Sequence, residues 1–283
     1  MGYQHIENLY QRVDILQCFA LEKVHGTSAH LAWKDGRLRY FAGGEKQAKF
    51  EASIPISPVT LAARFATTFP GATAATVFGE AFGGKQQGMG DVYGKTLRFV
   101  AFDVRVDGAW LDVPAAEQAV RALGLDFVPY ERGPLTLDWL AEQRDRPSLV
   151  AEQPGARREG IVVRPIRECT YADGGRMIFK YKAEDFRETR TPRDVTPERL
   201  VILTEAGAIA DEWVVPMRLE HVLQKTPYRT PADTGAVVRA MVEDVRREAA
   251  TEVAWSQDVE RAIGHATCKL LRRGARPPDA KGP

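Results

Sequence analysis

The chain has no long apolar run, no cysteine pairing pattern and no marked excess of charge of either sign. No hydrophobic stretch approaches the roughly 20 residues a helix needs to cross a bilayer, so membrane-spanning helices are not expected. The opening stretch, MGYQHIENLYQRVD, is polar and lacks an apolar signal core. The three cysteines, Cys18, Cys169 and Cys268, are far apart, odd in number and form no CxxC pair. Neither a disulfide framework nor a zinc ribbon is indicated, and a cytoplasmic, reduced protein is expected. His25 and His30 straddle a turn with no third ligand in view, which argues against zinc. A net charge of +1 removes the simplest signature of a nucleic-acid binder, although charge can still be segregated locally.

What is present is an ordinary globular composition, 44% hydrophobic and 27% charged over 283 residues. That supports a normal core and a length of one large domain plus a smaller one. Residues 13–186 read as short strands with turns. Leu31–Trp33 and Arg37–Phe41 flank Lys34-Asp35-Gly36, a hairpin signal. Ile15–Leu21, Leu97–Val106, Gly160–Ile166 and Arg176–Lys182 read as further strands. Helical spacing covers Val59–Phe69, Ala115–Leu123 and Thr136–Gln143. Dominant, irregularly spaced strands predict packed antiparallel sheets with peripheral helices, not an alternating parallel fold.

The character changes near Arg187–Thr196, where a Pro-containing linker leads into helical patterns at Pro197–Ala206, Asp211–Leu223, Pro231–Glu252 and Gln257–Arg272. The expected organisation is a first domain over 1–189 and a small all-helical domain over 190–283.

Five clusters carry potential chemistry. Glu22-Lys23-Val24-His25-Gly26-Thr27-Ser28 places a lysine at a strand end before a glycine turn. An amine needs a depressed pKa to act as a nucleophile, which burial or nearby cations supply. Taken alone, an exposed lysine in a turn explains it as well. Val77-Phe78-Gly79-Glu80-Ala81-Phe82-Gly83 sets a carboxylate where it can bind ribose hydroxyls or merely face solvent. Leu97 to Val104 contains Phe102 and Asp103; the ring either fills the core or faces a nucleobase. Arg158-Glu159-Gly160 heads an apolar strand that ends at Arg164-Pro165. Its glutamate suits hydrated Mg²⁺ or a capping ion pair. Ile178-Phe179-Lys180-Tyr181-Lys182 aims two lysines at one strand face, either toward an anion or toward solvent.

In order and type, the five resemble motifs I, III, IIIa, IV and V of the covalent nucleotidyltransferases, which include DNA ligases, RNA ligases and mRNA capping enzymes. The Lys-x-His-Gly-Thr form at Lys23 is similar to the RNA ligase 2-like family of phage RNA-repair and RNA-editing ligases. DNA ligases and capping enzymes typically carry Lys-x-Asp-Gly there. The resemblance spans about residues 20–186 by motif. It implies an α+β nucleotidyltransferase (ATP-grasp-like ligase) domain and, in place of an OB-fold, a helical C-terminal domain that engages nucleic acid.

That resemblance implies an ATP-dependent RNA ligase acting through lysyl-AMP, with ATP and Mg²⁺ or Mn²⁺ as cofactors. It would be a monomeric cytoplasmic protein of phage or bacterial type, joining 3′-OH and 5′-phosphate ends in nicked duplex RNA or RNA–DNA hybrids. By the same resemblance Lys23 is the nucleophile, Glu22 belongs to the adenine pocket, and His25, Gly26 and Ser28 are among the ATP- and AMP-binding residues. Glu80 contacts ribose, and Phe102 stacks on adenine with Asp103 beside it. Glu159 organises the metal, Lys180 and Lys182 hold phosphates, and Arg164 is the basic residue after motif IV. Ser28 replaces the family's asparagine, with a shorter reach. No arginine aligns over residues 41–46, where Lys46 is the candidate, without arginine's planar fork. Lys269, Arg272, Arg273 and Arg276 near the C-terminus either touch backbone phosphates or simply complement a helix dipole. A DNA ligase, a capping-type enzyme and a non-catalytic nucleic-acid-binding repair module are the alternatives.

Overall fold

A computed structural model describes residues 16–190, 205–226, 230–250 and 252–274. The chain divides between Ala183 and Glu184 into two compact units. The first contains two antiparallel sheets with helices packed on them, the fold class expected from the strand pattern.

One sheet has four strands in the order β7-β1-β8-β9: β7 (Tyr130–Pro134), β1 (Gln17–Lys23), β8 (Gly160–Pro165) and β9 (Phe179–Lys182). The other has five in the order β3-β2-β4-β5-β6: β3 (Arg37–Ala42), β2 (Thr27–Lys34), β4 (Ala74–Phe82), β5 (Arg98–Val106) and β6 (Ala109–Trp110). The helices are α1 (Gln47–Ser53), α2 (Pro58–Thr68), α3 (Gly90–Tyr93), α4 (Val113–Ala122) and α5 (Leu137–Asp145).

Local chemistry explains most boundaries. The β2–β3 hairpin closes on Asp35 and Gly36, at φ +49° and +76°. Both central residues are left-handed, the geometry that matches the twist of the flanking strands. Asp107-Gly108 repeats the device and folds β5 back onto β6, a strand too short to read from its own sequence. Helix α2 starts where Ser57 Oγ accepts the Thr60 N–H at 3.2 Å and Pro58 occupies the first turn. Strand β9 is shorter than the expected Arg176–Lys182. Arg176 instead bridges Thr170, and its guanidinium is drawn to Asp103 and Glu168.

Alternation in β1 divides its side chains between two cores. Phe19 and Leu21 join the main core, with Leu31, Val77 and Val104 of the five-stranded sheet and Phe50, Phe65 and Val120 of α1, α2 and α4. Cys18 and Ala20 belong to a smaller cluster with Ile161, Val163 and Leu140 of α5.

The second unit is helical: α6 (Ala206–Trp213), α7 (Pro216–Lys225), α8 (Thr234–Glu248) and α9 (Gln257–Gly274). The helix expected over Pro197–Ala206 lies almost wholly outside the described residues. The continuous helix expected over Asp211–Leu223 is two helices. Pro216 cannot continue α6 and opens α7, and Val215 before it is extended at φ −115°. Val237, Met241 and Val245 form the buried stripe of α8 against Ile209, Trp213, Val259 and Ile263. Arg218, buried within this unit, is held by Asp244 and Glu188. Among the described residues, no helix is long and apolar enough to cross a membrane.

One backbone position is demanding. Gly160 opens β8 at φ +150°, and a Cβ there would lie 2.2 Å from the Tyr181 carbonyl oxygen on β9. Gly160→Ala is therefore expected to cost about 2 kcal/mol or more. The measurement is the urea unfolding midpoint, which should fall clearly below that of the wild type.

Candidate active site

Three strands bring the reactive groups together. Lys23 on β1 is the register partner of Gly160 on β8, and Gly160 is the partner of Lys182 on β9. Lys23 and Lys182 thus stand in one cross-strand row, with no side chain between them. In the next row Leu21, Val162 and Lys180 are aligned, so Lys180 shares the face of Lys182.

Glu159, one residue before β8, closes the row. Lys23 Nζ donates to its Oε2 at 2.8 Å and Lys182 Nζ lies 3.0 Å from its Oε1. His25 Nδ1 is 3.3 Å from Oε2. Glu159 is only 2% exposed. Burial alone would raise its pKa; Lys23, the His25 hydrogen bond and Lys182 outweigh burial and hold the carboxyl far below its usual range.

The turn after β1 is braced from below. The His25 N–H donates to the Tyr93 hydroxyl at 3.2 Å, and burial pushes that phenol up to about 12, keeping it protonated. The Gly26 N–H donates to Glu80 Oε1 at 3.1 Å. A Cβ on Gly26 would meet the Ala81 carbonyl at 2.4 Å, so only glycine allows this approach. Ser28 is exposed and pairs in register with Glu80.

Lys23 lines a cavity of about 210 Å³ together with the apolar Leu21, Val24, Val128, Val162, Ile178 and Phe102 and the charged Glu22, Glu80, Asp103 and Arg164. The β4–β5 register explains how Phe102 comes to line it. Phe78 pairs with Asp103 and Gly79 with Ala101, so Phe102 is the extra residue of a β-bulge. The bulge breaks the alternation that would have assigned the ring to the core.

Other charged groups at this cavity are already engaged. Glu22 accepts from the Ser148 hydroxyl and, at 2.9 Å, from the Leu149 N–H, with Arg158 3.7 Å away. Arg164 is buried, pairs with Asp103 at 3.1 Å and with Glu168, and donates to the Leu111 carbonyl at 2.8 Å. Arg176 adds a 2.7 Å pair to Asp103. Burial pushes the Asp103 carboxyl up, against the pull of Arg164 and Arg176. Asp103 and Arg164 thus form a clamp joining β5 to β8. Sequence patterns gave no sign of Ser148, Tyr93 or Arg176, because each acts through a contact more than 60 residues away along the chain.

The donor set suits a divalent cation carried by a nucleotide. Among the described residues no group of three His, Cys, Asp or Glu side chains could cage a metal unaided. Glu159 is one carboxylate beside two lysines, so further ligands would come from phosphate oxygens and water, the pattern of Mg²⁺ sites.

The remaining expected contacts lie elsewhere. Lys46 is exposed at the start of α1. Lys269, Arg272 and Arg273 are exposed in the last turns of α9, whereas Arg276 falls outside the described residues.

The profile of a family described as RNA ligase matches residues 17–182, more than half of the chain. The match takes in every group of the site just built, from Lys23 to Lys182, and the protein belongs to the RNA ligase family. No curated protein matches the chain. Among solved structures it is similar to Naegleria gruberi RNA ligase, for example a variant with ATP and Mn at 17% identity and TM-score 0.46, covering 63% of this chain and 52% of that one. The same enzyme with pyrophosphate gives 19% identity and TM-score 0.45, covering 63% and 54%. The chain thus spans about half the length of these structures, and the family assignment rests on the profile match.

The ion cluster has a pH signature. The Glu159 pKa in the folded protein lies below its ordinary 4.5, so its stabilisation is complete above that pH and is lost as the pH falls below it. Urea unfolding of the wild type and Glu159→Gln at stepped pH isolates the effect. The stability difference between them should shrink as the pH is lowered from 5; a difference that does not change with pH contradicts the assignment.

Proposed function

We propose that the protein is an ATP-dependent RNA ligase that forms a covalent lysyl-AMP at Lys23 and seals nicks in duplex RNA or RNA–DNA hybrids. The observation that carries this reading is the row Lys23–Gly160–Lys182 closed by Glu159, in which Lys23 also lines a cavity walled in part by the bulged Phe102. Solved structures of an RNA ligase with ATP and Mn, and with AMP and Mn, are in keeping with it. The first unit is the adenylyltransferase domain, and the helical unit engages the polynucleotide.

The chain's own groups divide the work. The apolar slot and the Phe102 ring take the adenine, and Glu80, held by the Gly26 N–H, faces the ribose. Lys182 and Lys180, with the exposed Ser28, take the phosphates. Glu159 holds Lys23 in place; its depressed pKa makes it an orienting group and a poor proton acceptor. A divalent cation held by Glu159 would supply charge that neutralises the α-phosphate.

The Lys23 nitrogen bonds to the α-phosphorus and releases a proton to solvent. The bond from that phosphorus to the α–β bridging oxygen breaks, and pyrophosphate leaves with the electron pair. The 5′-phosphate of the polynucleotide then displaces Lys23 and becomes adenylylated. Attack by the 3′-hydroxyl on that phosphate expels AMP. Charge neutralisation and positioning dominate in such transfers, which suits a site rich in cations.

Incubation with labelled ATP and Mg²⁺ should label the wild-type protein and leave Lys23→Ala unlabelled. Glu159→Ala and Lys182→Ala should slow labelling by orders of magnitude. An unlabelled wild type would point to a non-catalytic binding module. Ligation tested on single-stranded RNA, nicked duplex RNA, hybrid nicks and nicked DNA should favour the RNA-containing nicks, and preferential sealing of nicked DNA would make the protein a DNA ligase. Replacing Lys269, Arg272 and Arg273 together should weaken binding to the nicked substrate and flatten its salt dependence by about three in log–log slope.

A further inference from the structure

The face of the five-stranded sheet that carries Ser28 and Glu80 continues beyond the nucleotide cavity. Register fixes what it displays. In the row after Ser28 and Glu80 come Phe41, His30 and Phe78 on β3, β2 and β4. The next row holds Arg39, Ala32, Thr76, Arg105 and Trp110, whose ring reaches back toward Phe78, and the one after it Lys34 and Arg37. Successive rows are about 6.7 Å apart along the strands.

The aromatic row is a column of rings. Phe41 stacks on His30 at 4.9 Å with the planes 24° apart. His30 meets Phe78 at 5.8 Å, and Phe78 meets Trp110 at 5.2 Å. Arg176 caps the far end, 3.9 Å over Trp110. The other end is open: β3 is an edge strand and Phe41 is 50% exposed. Burial lowers the His30 pKa, so this ring joins the stack in its neutral form near neutral pH. The core of the unit accounts for none of these rings, which lie on the opposite face from Leu31 and Val77.

Beside the column stand Arg39, Arg37, Lys34 and Arg105. All four are exposed, and none has a carboxylate partner within ion-pair distance among the described residues. A stack of rings open at one end, with unneutralised cations alongside, is complementary to unpaired bases on a phosphate backbone. A duplex, its bases already stacked and paired, has no face to offer Phe41.

We propose that this face binds a single-stranded polynucleotide segment flanking the duplex to be sealed, with one base stacked on the outward face of Phe41 and Arg39, Arg37 and Lys34 holding its phosphates. The inference deepens the ligase reading and rests on it for the duplex that the segment flanks, but binding itself needs no lysyl-AMP chemistry.

The test is fluorescence anisotropy of a labelled 12-nucleotide single-stranded RNA, without ATP, against a blunt RNA duplex of the same sequence. Phe41→Ala should weaken single-strand binding by about tenfold, and Phe41→Trp should retain it. Arg39→Ala should weaken it and lower the log–log salt slope by about one. Thermal unfolding midpoints close to the wild type establish that the variants are folded. Unchanged single-strand affinity in folded Phe41→Ala overturns the proposal, as does an equal loss of blunt-duplex binding in the same variant. If Phe41→Ala is destabilised, Phe41→Leu decides, since it keeps bulk and loses the ring; unchanged affinity there also overturns the proposal. A wild type that binds single strands through Phe41 yet forms no lysyl-AMP supports this inference while removing the ligase reading.

Discussion

A carboxylate buried to the extent of Glu159 is costly unless its charge is met, and the structure of the first unit follows from how that charge is met. The compensation comes from three places in the chain: Lys23 at the end of β1, His25 in the turn after it, and Lys182 on β9. Each lies on a different segment, so satisfying Glu159 pins β1, β8 and β9 in one register. The same cluster concentrates positive charge beside a cavity. The interaction that secures the fold here also gathers the charged groups of the candidate site.

Two backbone features turn this cluster into a usable site. Gly160 leaves the row between Lys23 and Lys182 without a side chain, so the two amines and Glu159 share one space. The bulge at Phe102 takes one residue out of the β4–β5 pairing and lets a ring from a core strand line the cavity. Around them a second layer holds the first: Tyr93 supports His25, Gly26 supports Glu80, and Ser148 with Leu149 satisfies Glu22. Arg164, which by its place after motif IV reads as a nucleotide contact, is engaged with Asp103 and Glu168, where it ties the sheets together.

The five-stranded sheet has two differently used faces. One is sealed by α1, α2 and α4 around Leu31, Val77 and Val104. The other carries Glu80 at the cavity, with Ser28 beside it in register, and, farther along the same strands, the ring column and the cations beside it. Alternation along a strand makes this division automatic: once Leu31 is committed to the core, His30 and Ala32 are committed to the opposite face. The helical unit follows the same economy, with Val237, Met241 and Val245 spaced four apart to bury one stripe of α8.

Local signals were sufficient for the features that depend on neighbouring residues. The Asp35-Gly36 hairpin, the helical spacing over Val59–Phe69 and Pro231–Glu252 and the order of the five clusters could all be read directly, because turn geometry and periodicity act within a few residues. The break at Pro216 has a local cause too, since a proline ends a helix whatever the apolar spacing around it. Tertiary structure alone decided the rest: that Glu159 takes both Lys23 and Lys182, that Phe102 is bulged out of its ladder, that Arg164 pairs with Asp103, and that Phe41, His30, Phe78 and Trp110 stand in one column. Each of these depends on which strands become neighbours and in what register, and pairing between distant segments leaves no mark in the local sequence of either.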